Sequence, residues 1–149
     1  MSDNPLIKVF NEHLDVAFKE KRDVSKKEYL DTAVKVGGVV LYDENSSFDE
    51  CDEVVVALSE AFEKVSFKNI NNSNFDAHQF ELNYKNGDVI LTGIESYLPR
   101  IDDDIKGSFI KSIKKAIEKS PQDQDYKDQQ KVNEVLGQHI RNLNILRRS

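Results

Sequence analysis

Six carboxylates fall within the twelve residues YDENSSFDECDE, 42–53, with no Lys or Arg among them. Acids at that density can surround a hard cation, open a helix while staying solvated, or form an acidic dock for a basic protein. Scored as an EF-hand loop from Asp43, Asn45 and Ser47 take the third and fifth ligand positions. Phe48 then stands where the turn needs glycine, and Val54 where the closing Glu belongs. A looser site remains, built from Asp43, Asp49, Asp52 and Glu53, whose mutual repulsion Ca2+ or Mg2+ would relieve. No motif requires a cofactor, and all three readings stay open.

Nothing else in the chain declares a reaction. Cys51 would sit in the first turn of a helix, where the dipole lowers a thiol pKa, but Glu50, Asp52 and Glu53 push the other way. His13, His78 and His139 have no paired ligand spacing and are expected in the core or on the surface. There is no Gly-rich phosphate loop, no Gly-x-Ser-x-Gly and no His-Glu-x-x-His, so the expectation is a non-enzymatic protein. A net charge of −6 lacks the basic footprint of a nucleic-acid binder. One cysteine, no leader-like N-terminus and no apolar run of spanning length point to a cytoplasmic protein that does not cross a membrane.

The elements that would carry these residues read as helices. Asn4-Pro5 is a cap followed by proline at the first helical position, opening a helix to about Lys21. SKKE, 25–28, has the form of a capping box, with Ser25 and Glu28 reciprocal. Behind it Tyr29, Ala33, Val36, Val40 and Leu41 make a stripe through VGGVVLY, where paired glycines would admit a neighbouring helix. Asp49 and Asp52 then read as a cap-like start for a helix carrying Val55, Leu58, Phe62 and Val65. Residues 75–98 admit two readings. Alternation of Phe80, Leu82 and Tyr84 before KNGD suits a hairpin, which would make the fold α+β. The spacing of Ile90, Leu91, Ile94, Tyr97 and Leu98 suits a helix with Gly87 closing a shorter one and Asp88 as its N-cap. The helical reading is preferred. Asp102–Asp104 open the next helix, with Ile105, Phe109, Ile113, Ala116 and Ile117 on its buried face and Lys106, Lys111, Lys114, Lys115 and Lys119 solvated. A last helix carries Val132, Val135, Leu136, Ile140 and Leu143. The expected fold is all-α, one domain of six to seven helices.

Two windows repeat a pattern of helix, acidic loop, one aromatic, acids and helix. Phe48 followed by Asp49, Glu50 and Asp52 corresponds to Tyr126 followed by Lys127, Asp128 and Gln130. Each ring is expected to tuck beneath its loop as a hydrophobic staple. On these residues the chain resembles the tellurite-resistance TerB-like family, all-helical proteins of two helix-loop-helix halves. Asp43 matches the family's loop Asp, Phe48 its apolar position, and Asp49, Asp52 and Glu53 its helix-start acids. Asp123 or Asp125, then Tyr126 and Asp128, match in the second loop, where Gln130 replaces the closing Glu and predicts a weaker site. The resemblance makes residues 1–24 a leading helix and 25–149 the domain. It implies a stress-response module whose acidic loops engage a divalent cation or a basic protein, with a membrane-associated component of the same system as one candidate partner. The alternative is a secretion-chaperone or immunity-type binder that ignores metals, tied to the hairpin.

Overall fold

The computed structural model describes residues 4–67, 70, 73–121 and 124–148. These form six α-helices and one 3-10 helix: α1 Pro5–Lys19, α2 Asp23–Tyr42, α3 Phe48–Phe67, α4 Ala77–Ile94, the 3-10 helix Glu95–Arg100, α5 Asp103–Glu118 and α6 Tyr126–Arg148. The described residues contain no strand. The fold is an all-α bundle, and none of its described helices is long and apolar enough to cross a membrane.

Helix α1 starts as its sequence dictates, with the Asn4 side chain accepting from Leu6 N–H and proline behind it. Its Ile7, Phe10, Leu14 and Ala17 lie on one face and are buried, largely against α2. The paired glycines of α2 allow close approach as expected. A Cβ on Gly37 would stand 2.9 Å from Val54 Cγ1 and 3.0 Å from Phe10 Cε1, and one on Gly38 would overlap the Tyr97 ring. Helices α1 and α3 and the 3-10 turn therefore meet α2 at a bare stretch of its backbone.

Helix α4 lies against α2, α3 and α6 and buries Phe80, Ile90, Leu91 and Ile94, with Leu98 following from the 3-10 helix. The hairpin reading of 75–98 is overturned, and with it the α+β fold. The expected break at Gly87 and Asp88 is also overturned, since α4 runs through both from an N-cap at Asp76, whose carboxylate accepts from His78 and Gln79 N–H. A mid-helix glycine costs about 1 kcal/mol relative to alanine. It is retained where α3 crosses, because a Cβ at Gly87 would fall 2.0 Å from Ser66 Oγ. Asp88 is half-buried and accepts from the Asn142 amide of α6, a tertiary contact in place of a cap.

Two other expectations fail locally. Ser25 is no cap: α2 begins two residues earlier, and the Ser25 hydroxyl accepts from the Arg22 guanidinium. Ile140 is exposed, and the core position beside it belongs to His139. Helix α5 keeps its expected face, with Ile105, Phe109, Ile113, Ala116 and Ile117 buried and Asp102 capping. Most of the apolar interior is one cluster drawn from all six helices. A smaller one gathers Ile70, Phe80, Val132 and Val135 where α4 meets α6.

Candidate functional site

The acidic stretch occupies the end of the bundle where α2 stops and α3 starts. Asp43 is the C-cap residue of α2, and its carboxylate accepts from Asn45 N–H at 2.9 Å. Ser46 Oγ donates to the Val40 carbonyl at 2.6 Å, which folds the loop back over the last turn of α2. The start of α3 is a reciprocal capping box that the acids around it concealed. Glu50 N–H donates to Ser47 Oγ at 3.1 Å, and Ser47 N–H donates to Glu50 Oε1 at 3.0 Å. Glu50 Oε2 also accepts from the Asn4 amide at 2.7 Å, tying the start of α1 to the start of α3. The Ser47 backbone N–H first, and the Asn4 amide next, hold the Glu50 carboxyl below its usual range. The cap expected at Asp49 and Asp52 is thus corrected to Ser47 and Glu50.

This arrangement also explains the aromatic. A hydrophobic staple needs its apolar residue before the cap. Phe48 follows the cap at the first helical position, so its ring projects outward, 55% exposed. The second loop repeats the arrangement. Asp125 Oδ1 accepts from Asp128 N–H at 3.0 Å, and Tyr126 stands next in line, 78% exposed. The Tyr126 hydroxyl accepts from the Gln130 amide at 3.0 Å one turn on. The tucked rings are therefore overturned, while the shared offset of cap and aromatic is real.

The structure does not gather the proposed cation ligands. Asp49, Asp52 and Glu53 share a face of α3, whereas Asp43 is held by its own loop at the end of α2. Among the described residues no three His, Cys, Asp or Glu side chains are grouped as metal ligands. In the second loop Asp125 is engaged in capping, Asp128 sits in the first turn of α6, and Asp123 lies outside the described residues. Cys51 is part-buried, and that desolvation first, then the Glu50 charge, push its thiol pKa up. The dipole argument for a reactive thiol does not prevail.

What the acidic end does present is an apolar groove. Gly38, Val39, Tyr42, Asp43 and Tyr97 line it. Val39 and Tyr42 are each 52% exposed. Tyr97 meets the edge of Tyr42 at 5.9 Å between centroids. Arg100 braces Tyr42 from outside that lining, its guanidinium 4.6 Å from the Tyr42 ring centre and donating to the Tyr42 carbonyl at 3.0 Å. A cation there also suits the negative end of α2. Its other neighbour is Glu44, at 3.8 Å. Sequence reading did not find Arg100 or the groove. Arg100 lies 58 residues from Tyr42, and only the packing of the 3-10 turn on Gly38 brings them together.

Family models, curated proteins and solved structures gave no match to this chain.

Proposed function

We propose that this chain is a binding module whose acidic end docks a basic, amphipathic segment of a partner protein. The observation that carries the reading is the juxtaposition of two features at one end of the bundle. An exposed apolar groove built on Val39, Tyr42 and Tyr97 adjoins six carboxylates within residues 42–53. Tyr side chains bury large area at low entropic cost, and the acids would steer a basic partner and set its orientation. The loop is braced by the Ser47–Glu50 box, the Ser46 hydroxyl and Arg100, so little ordering would be needed on binding.

The test is NMR titration with a short peptide alternating Lys with Leu, against oligolysine as a charge-only control. The expected result is movement of the Val39, Tyr42 and Tyr97 signals, weakened by salt and by Tyr42→Ser, with oligolysine binding less tightly. Equal binding of both peptides, or shifts elsewhere, would overturn the reading. Millimolar Ca2+ that raises the melting temperature and moves the amides of 43–53 would replace the protein partner with a cation.

A TerB-like stress-response role is the second reading. It rests on the sequence resemblance of the two acidic loops, whose aromatics share an offset from the cap but do not tuck beneath them. Deletion of the gene that leaves tellurite tolerance unchanged would sink it.

A further inference from the structure

The opposite end of α3 holds a second feature. A cleft of about 560 Å³ opens where α1, α3 and α5 end, within the range of small-ligand sites. Its walls are apolar: Phe18 of α1, Val65 and Phe67 of α3, and Ile70 beyond it. Among the described residues its polar groups are Lys64, Lys119 and Glu63. The Lys64 ammonium lies 4.7 Å from the centre of the Phe18 ring and makes no ion pair among the described residues. Asp15 and Glu60 line a smaller adjoining hollow together with Phe18 and Lys64. Lys119 pairs with Glu63 at 2.6 Å, but both side chains are well exposed, and such a pair is weakly held. Among the described residues, the lining of the larger cleft itself thus carries two ammoniums and one carboxylate.

The geometry points to a site for a small amphipathic monoanion, an alkyl carboxylate whose chain lies against Phe18, Val65, Phe67 and Ile70 while its headgroup meets Lys64. The apolar walls select the chain, because a fully hydrated anion gains nothing from them. The ammonium selects the charge: resting on the Phe18 ring, Lys64 keeps N–H donors free, so the carboxylate gains a charge-assisted hydrogen bond without breaking a pair. Lys119 supplies a second donor while Glu63 holds it at the rim. This site is independent of the docking groove, which lies at the other end of α3.

NMR titration of the full chain with decanoate tests the proposal, with decanol and acetate as probes that keep only the tail or only the charge. Decanoate is expected to move the amides of Phe18, Val65 and Phe67 and leave those of Val39 and Tyr42 in place. Decanol and acetate should each bind more weakly. Lys64→Gln, at an exposed position, should weaken decanoate by about tenfold, the worth of one hydrogen bond to a charged group. Unmoved amides at millimolar decanoate, equal affinity for decanol, or an undiminished Lys64→Gln variant would each overturn the assignment.

Discussion

His139 is the residue whose chemistry is least compatible with its surroundings. It is fully buried, and neither ring nitrogen has a hydrogen-bond partner among the described residues. Its neighbours are the rings of Tyr84 at 4.7 Å, Phe62 at 5.0 Å and Phe67 at 6.4 Å. Burial disfavours the imidazolium and lowers the pKa to about 4. The unfolded chain would take up a proton near pH 6.5 that the folded one refuses until about 4. Stability is therefore complete above pH 6.5 and falls as pH drops through that interval, by roughly 3 kcal/mol in all. His139→Leu should flatten this acid-side slope, and urea unfolding at neutral pH and at pH 5 would show it. Parallel losses in the two proteins would refute the assignment. At the acidic loop, Ser47→Ala should cost about 1 kcal/mol by removing the α3 cap. Asp49→Asn should change little, because the Asp49 side chain does not carry the cap; thermal melts of the two variants separate the cases.

The helices themselves are set by local signals, but their spacing depends on single atoms. Gly37→Ala would push a methyl against Val54 and Phe10 in the interior, and overpacking of this kind costs about 1–3 kcal/mol. That loss exceeds the roughly 1 kcal/mol which alanine adds to a helix, so chemical denaturation should show a net destabilisation. Gly38→Ala meets the Tyr97 ring instead, and should disturb the groove as well as stability. Ile94→Asp places a charge where the side chain is wholly buried, at a cost of several kcal/mol. A variant that melts like the parent would contradict the packing of α4.

For the whole molecule, the acidic loop and the Lys64 cleft lie at opposite ends of α3. Among the described residues the acidic end lacks a set of converging ligands, so Ca2+ and Mg2+ at millimolar concentration should leave the melting temperature unchanged. A cation bound at a hundred times its dissociation constant would add about 2.7 kcal/mol, which a thermal scan would register. Added salt should instead weaken any basic partner at that end, since exposed charges are screened beyond about 10 Å at moderate ionic strength.

Helical periodicity made the all-α class legible, and short-range chemistry placed the start of α1 at Asn4-Pro5 and that of α5 at Asp102. Those signals act within one turn, so no distant residue can override them cheaply. The acidic character of 42–53 was equally plain, as was the use of Gly37 and Gly38 for close approach. Where the sequence offered two competing local signals, tertiary contact chose between them. Ser66 and Asn142 carried α4 through Gly87 and Asp88, and the Ser47–Glu50 box placed Phe48 after the cap instead of beneath the loop. The groove of Tyr42 and Tyr97 with Arg100 beside it, the aromatic surroundings of His139 and the cleft below Lys64 all join residues from separate helices. Such neighbours leave no periodic trace in a chain, because they exist only once the helices have packed.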